Sequence, residues 1–329
     1  MAVTIYDIAE TLGISTSTVS RVLNGRSSTL VSQATRNRIL KAAEEMGYRP
    51  NALARALVTG RTGNLGLFVE ALRERTDPQF AQMLEAVELK AHAVGYRLLL
   101  SGDLESLIEE GRVDGVIVLD RPSRVRRASM LASAPVMYVH PEPQGEAGSI
   151  CWSDSDGAYQ AVRHLLDLGH TRIAGLFAEY PDTDPPLAKV AGFRKAIREA
   201  GAVGLEWRGV LSADAFENAC LLTARYLREH PEVTAVFARN DTLALGVMRA
   251  AREAGRSIPC DLSVIGYNDT LLAHCADPGL TSVRTPIARA GEIAVEQVVR
   301  ALAERDADFP EVVLPTTLTV RESCAPPEA

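Results

Sequence analysis

Residues 4–25 read Thr-Ile-Tyr-Asp-Ile-Ala-Glu-Thr-Leu-Gly-Ile-Ser-Thr-Ser-Thr-Val-Ser-Arg-Val-Leu-Asn-Gly, and their punctuation decides how the rest of the chain is read. Thr4 stands where a helix cap stands, with Asp7 three residues on, near the positive end of the helix dipole. Ile5, Ile8, Ala9 and Leu12 then share one face at helical spacing. Gly13 is the stop, because a left-handed C-cap favours glycine. Ser15 caps a second short helix with Val19, Val22 and Leu23 at i, i+3, i+4, ending at Asn24-Gly25. Ser32 opens a third helix whose inner face is Ile39, Ala43 and Met46 and whose stop is Gly47. Two short helices joined by a tight glycine turn and braced by a third follow the helix-turn-helix plan. In that plan the second helix enters the major groove. Its outward residues here are Thr16, Ser17, Ser20 and Arg21. A forked arginine can bind guanine O6 and N7 together, and hydroxyls can bond base edges or phosphates. The plainer reading is a small solvated bundle in which each Ser or Thr is a cap.

Working outward, charge divides the chain at the same place. Residues 1–61 hold eight basic and four acidic side chains, and the rest holds 27 basic and 38 acidic ones, for a net charge of −7. A small basic segment on a large acidic body points to a polyanion partner for the first part alone. A length of 329 residues allows about two domains. No apolar run reaches the ~18 residues of a membrane span, and the start lacks the layout of a signal peptide. The five cysteines (Cys151, Cys220, Cys260, Cys275, Cys324) are scattered and never spaced C-x-x-C. That fits reduced thiols in a cytoplasm and argues against a disulfide frame or zinc knuckle.

After Gly63 short apolar runs alternate with amphipathic stretches. The runs are Leu65–Val69, Tyr96–Leu100, Gly115–Leu119, Val136–Val139, Ile173–Phe177, Ala235–Ala238 and Val264–Tyr267. Such alternation predicts parallel sheets covered on both faces, and the number of runs predicts two lobes. Ligands in open α/β sheets bind beyond the carboxyl ends of the strands. Those ends carry Glu70, His140, Asn240-Asp241 and Asn268-Asp269. The plainer reading makes Asp241 a helix cap and His140 a surface-loop histidine. The basic run Arg121, Arg124, Arg126 and Arg127 reads as a solvated face, and the tail 325–329 as frayed. No Walker loop, Gly-x-Gly-x-x-Gly, Gly-x-Ser-x-Gly or His-Glu-x-x-His occurs, so neither cofactor, metal nor enzyme activity is expected.

Particular words go further than periodicity. Thr4-Ile5-Tyr6-Asp7-Ile8-Ala9, Thr18-Val19-Ser20-Arg21-Val22-Leu23-Asn24-Gly25, Gly47-Tyr48-Arg49-Pro50-Asn51 and Ala54-Arg55-Ala56-Leu57 resemble the LacI/GalR family of bacterial transcription regulators. The likeness continues through Leu168-Gly169-His170-Thr171-Arg172-Ile173, Ala191-Gly192-Phe193, Asn240-Asp241-Thr242-Leu243-Ala244-Leu245-Gly246, Ile265-Gly266-Tyr267-Asn268-Asp269 and Leu318-Thr319-Val320-Arg321-Glu322. It implies an all-α helix-turn-helix headpiece plus an α/β, two-lobed, periplasmic-binding-protein-like effector domain with parallel sheets and three crossovers, near Trp152, Val283 and Val313. The implied domains are a headpiece at 1–48, a hinge helix and linker at 49–62 and an effector and dimerisation domain at 63–324. Within the last, the N-lobe takes 63–152 and 283–312 and the C-lobe 153–282 and 313–324.

The same resemblance implies base readers Thr16, Ser17 and Arg21 and backbone contacts Tyr6, Ser20 and Asn24. Asn51, Arg55 and Leu57 fall on the hinge helix, with Leu57 at the position that wedges the minor groove. The effector set it implies is Glu70, His140, Lys189, Asp214, Asn240 and Asn268. Six departures stand out. The loop between Asn24 and Thr35 is about two residues longer than usual for the family. His140 replaces an aspartate, Lys189 an arginine, and Asn268 an aspartate. The stretch 211–214 has no aromatic in register, and the segment between Leu100 and Val113 is short. The expectation is a homodimeric cytoplasmic repressor on a pseudo-palindromic duplex, controlled by a small molecule, with a sugar or sugar derivative favoured. An activator, a nucleoside- or purine-responsive regulator, and a solute-binding receptor without a DNA role are the alternatives.

Overall fold

The computed structural model describes residues 3–23, 31–49, 56–57, 59–69, 78–119, 134–178, 187–210, 214–304 and 308–327. The chain falls into two compact units, Met1–Gly63 and Asn64–Ala329.

In the first unit α1 (Ile5–Leu12), α2 (Thr16–Leu23) and α3 (Gln33–Glu45) surround one small core. Ile8, Val19 and Ile39 are fully buried at its centre, with Val22, Ala42 and Ala43 around them. Burying each large aliphatic contributes about 1.5–3 kcal/mol. The helix ends follow the sequence punctuation. The Thr4 N–H donates to the Asp7 carboxylate at 2.7 Å, and this hydrogen bond holds the Asp7 pKa below its ordinary value. Gly13 ends α1 at φ 65°. Ser32 accepts the Thr35 N–H at the head of α3.

The second unit holds two six-stranded sheets. The first runs β11-β5-β4-β3-β1-β2 and the second β12-β10-β9-β8-β6-β7. In chain order the first sheet and its helices are β1 (Asn64–Phe68), α4 (Pro78–Ala93), β2 (Arg97–Ser101), α5 (Leu104–Glu109), β3 (Gly115–Val118), β4 (Val136–Pro141) and β5 (Ser149–Trp152). The chain then crosses to α6 (Asp154–Asp167), β6 (Arg172–Leu176), α7 (Leu187–Ala200), β7 (Val203–Trp207), α8 (Ala215–Glu229), β8 (Ala235–Ala238), α9 (Asp241–Glu253), β9 (Ser263–Asn268), α10 (Leu271–Cys275) and β10 (Thr281–Arg284). It returns to the first lobe with α11 (Ile287–Ala303) and β11 (Val312–Leu314), and crosses a third time to β12 (Thr317–Thr319). Among the described residues pairing is parallel except between β10 and β12. α11 and α4 share a core with β1, β3 and β4 built on Met83, Val87, Ala294 and Val298.

All seven apolar runs are strands. The five further strands are shorter or more polar. β7 is an edge strand with two exposed residues, and an edge half in water needs no continuous apolar run. Among the described residues no helix is long and apolar enough to cross a membrane. Two expectations are overturned. Ala325 is not frayed: its carbonyl accepts from His170 at 2.9 Å and from Ser263 at 3.0 Å, and its N–H donates to Ser263. His140 is not in a solvated loop but on β4, 2% exposed.

Candidate nucleic-acid interface and ligand cleft

Valines 19 and 22 pin α2 to the headpiece core, so its other face is turned outward by helical geometry. Ser17 is exposed and Thr16, Ser20 and Arg21 are half-buried. The Ser15 hydroxyl lies 2.8 Å from that of Thr18 and 3.0 Å from that of Ser17, and it accepts the Thr18 N–H. This cap fixes the first turn of the helix and gathers short hydroxyls at its positive end, where anions are favoured. Tyr6, on α1, is 69% exposed and Leu57 is 88% exposed. A leucine so exposed has nothing of its own unit over it. Asn24, Asn51, Arg55 and Glu70 lie outside the described residues.

The carboxyl ends of β4, β5, β8 and β9 carry the polar side chains of the second unit. Lys189, in the first turn of α7, sits in a cage. Its ammonium lies 3.3 Å from Asp154 Oδ2 and 3.9 Å from the centre of the Tyr267 ring, and it donates to the Arg239 carbonyl at 3.3 Å. Asp154 is committed on its other oxygen too. Oδ1 accepts from Trp152 Nε1 at 2.9 Å and from the Tyr267 hydroxyl at 3.0 Å. Burial, and then the Asp154 carboxylate beside it, push the Tyr267 pKa well above the usual phenol range. The ring reaches this place because residue 157 is glycine: a Cβ there would collide with the Tyr267 hydroxyl.

Asn240 and Asn268 flank this cage, one residue beyond Arg239 and one beyond Tyr267. Asn240 caps α9 and accepts the Leu243 N–H at 2.9 Å. Asp241, read from sequence as the cap, is instead the first residue of the helix. Its carboxylate accepts from Ser282 at 2.5 Å and from the Thr270 N–H and hydroxyl at 2.7 and 2.8 Å. Burial outweighs these bonds and pushes its pKa up to about 6. Gly266 leaves room for it, since a Cβ there would strike Asp241 Oδ1. Asn268 is 5% exposed with φ 99°, and no hydrogen-bond partner reaches its Oδ1 among the described residues.

Thus Lys189, Asn240 and Asn268 come together at the ends of the adjacent strands β8 and β9. His140 is the next-to-last residue of β4 in the other sheet, paired with Cys151. Asp214 is exposed and caps α8 by accepting the Glu217 N–H at 2.9 Å. Sequence reasoning missed Trp152, Asp154 and Tyr267. The available signal was Trp152-Ser153-Asp154 directly after a strand and the tyrosine of Gly266-Tyr267-Asn268. Among the described residues no group of His, Cys, Asp or Glu could hold a metal ion.

Comparison with known proteins agrees with both units. Residues 4–51 match the family described as bacterial regulatory proteins, lacI family, and residues 162–324 match a periplasmic binding protein-like domain. The chain is 32% identical to the HTH-type transcriptional repressor PurR of Vibrio vulnificus, over 97% of this chain and 98% of that protein. A lac repressor dimer bound to operator and the anti-inducer ONPF superposes with a TM-score of 0.81 at 27% identity, over 99% of this chain and all of that one. A complex of the transcriptional regulator CelR with cellobiose gives 0.67 at 29% identity, over 98% and 99%. With a helix-turn-helix unit, a two-lobed parallel-sheet unit and identity of this degree over nearly its whole length, the chain belongs to the LacI family of bacterial transcriptional regulators, which are not enzymes.

Proposed function

We propose that the chain is a homodimeric, cytoplasmic repressor that binds a pseudo-palindromic operator and releases or grips it according to a small molecule in the cleft. The observation that carries the DNA half is α2, a capped helix with two buried valines and an outer face of Thr16, Ser17, Ser20 and Arg21. Thr16, Ser17 and Arg21 would read bases, and Tyr6, Ser20 and Asn24 would hold the backbone. Asn51, Arg55 and Leu57 would act on the minor groove. The exposure of Leu57 supports this role, because an apolar wedge that parts a base step must be unburied beforehand. The headpiece is assigned to 1–48, the hinge and linker to 49–62 and the effector domain to 63–324.

The effector set is Lys189, Asn240 and Asn268 from one lobe, with His140 and Glu70 from the other and Asp214 at the margin. A sugar or sugar derivative is the favoured class. Asparagine side chains offer a donor and an acceptor to vicinal hydroxyls, and a family neighbour was solved with cellobiose. The same asparagines fit the edge of a nucleobase, so a nucleoside or purine is the second reading.

The test is thermal stability of the full chain against cellobiose, ribose, sugar phosphates, nucleosides and purines. A ligand at 100 times its Kd adds about 2.7 kcal/mol, and a hit that also changes affinity for a duplex selected from a random library supports both halves. A selected duplex with no responsive ligand in the panel overturns the assignment of these classes. Failure to select any duplex overturns the DNA half.

A further inference from the structure

The two sheets share one strand order, so β4 in the first corresponds to β9 in the second, each third from the end. Among the described residues the non-glycine positions with left-handed backbone are Glu142 at φ 68°, Asn268 at 99° and Asp269 at 52°. All three lie at the carboxyl ends of these corresponding strands. Strain of this kind persists only where the surroundings enforce it, and it gathers at functional sites.

What enforces it is a grip on the lobe crossovers. At the end of β4 the Glu142 N–H donates to the Trp152 carbonyl at 2.6 Å. Its carboxylate accepts the Ser155 N–H at 2.7 Å and the Ser153 hydroxyl at 3.4 Å. Those residues are the first crossover. At the end of β9 the Asp269 carboxylate accepts from Arg284 Nε at 2.7 Å and from Thr319 at 3.1 Å, and Arg321 lies 2.7 Å from its other oxygen. Arg284 begins the second crossover and is paired with Thr317, where the third one lands. Tyr267, two residues before Asp269, reaches the first crossover through Asp154. The effector candidates stand inside these clamps: His140 two residues before Glu142, and Asn268 between Tyr267 and Asp269.

We propose that the strained ends of β4 and β9 are a paired relay, in which Glu142 and Asp269 carry a change at His140 or Asn268 to the three crossovers and so set the angle between the lobes. Asp269 is a positioning residue in this scheme: it touches hinge strands, not ligand. The relay rests on the cleft being the effector site, but the test below needs no ligand, so either idea can fail alone.

The chain has two tryptophans, Trp152 at the first crossover and Trp207 at the far edge of the second sheet. Full-length protein labelled with 5-fluorotryptophan gives two 19F resonances, assigned with Trp207→Phe. Asp269→Asn lies at the other crossovers and touches neither indole. The relay predicts that it shifts the Trp152 resonance by more than a linewidth and leaves that of Trp207 in place. Arg284→Gln, at a side chain 60% exposed, breaks the same contact from the solvent side and covers the case in which Asp269→Asn does not fold. It should move Trp152 in the same direction. An unmoved Trp152 resonance, or equal movement of both resonances, overturns the relay in favour of a local or a general structural role.

Discussion

The headpiece and the body treat polar side chains in opposite ways. On α2 the short hydroxyls and Arg21 are arrayed outside a core of a few aliphatics, and the Ser15 cap lies within hydrogen-bond distance of the Ser17 and Thr18 hydroxyls. At the strand ends of the body, Asp154, Asp241, Asn268 and Asp269 are nearly buried, and the three carboxylates are saturated by neighbours. The difference follows from the partners each meets. A duplex brings its own donors, acceptors and charge to an exposed face, so a reader there need not be saturated by the fold. A side chain turned into the body must find its partners inside the fold, because a buried polar group without one costs about 1–3 kcal/mol. One region is therefore governed by screening and the other by desolvation.

Salt is the sharpest way to break this comparison. If a dimer neutralises roughly 8–10 phosphates, log K falls with log salt at a slope of about −7 to −9. Between 50 and 200 mM salt, operator affinity measured by fluorescence anisotropy should then drop about 10⁴- to 10⁵-fold. The buried pairs of the body, Lys189 with Asp154 and Arg321 with Asp269, are screened far less over the same range, so the stability they contribute should change much less than operator affinity. Operator binding indifferent to salt would remove the contrast.

Acid acts on the other side. Asp241 has a folded pKa of about 6 against an ordinary 3.8. Between these values the folded protein holds a proton that the unfolded chain has lost. Stability therefore falls as pH rises from about 4 to 6, and the whole penalty, about 3 kcal/mol, is present above pH 6. Asp241→Asn should flatten that slope in urea unfolding of the body while leaving operator recognition by the headpiece unchanged. Parallel pH profiles for variant and parent would show that burial does not control this carboxylate.

Arg21→Ala gives the smallest effect and the most specific one. It should cost about 1–3 kcal/mol at one base position per half-site and relax the preference there. A loss uniform across operator variants would make Arg21 a phosphate contact, and α2 would then differ from the body in charge alone.

The three helices described in the headpiece were legible because their signals are local. Thr4, Gly13, Ser15, Ser32 and Gly47 act within a turn of their own positions, and the observed helix bounds follow them. The strands β1, β3, β4, β6, β8 and β9 were legible for a similar reason, since a strand covered on both faces is commonly an apolar run. The edge strands β7, β11 and β12 and the interior strands β5 and β10 were not, because each is very short or interrupted by polar residues. Of the candidate effector residues, Asn240, Asn268 and Lys189 are named by family words, whereas the cage of Asp154 and Tyr267 around Lys189 left no such signal.

What the sequence by itself determined is thus the kind of molecule: a basic three-helix reader joined to an acidic, doubly wound body with polar strand ends. Only the tertiary structure decided which polar residues meet. Asp154 and Tyr267 are 113 positions apart, and Asp269 and Thr319 are 50 apart. Such pairs are chosen by sheet order and by where glycine leaves space, as at Gly157 and Gly266. Periodicity in one chain specifies which face a residue takes, but strand order is settled by the packing of whole layers. The commitment of a buried carboxylate to one neighbour rather than another is settled with it.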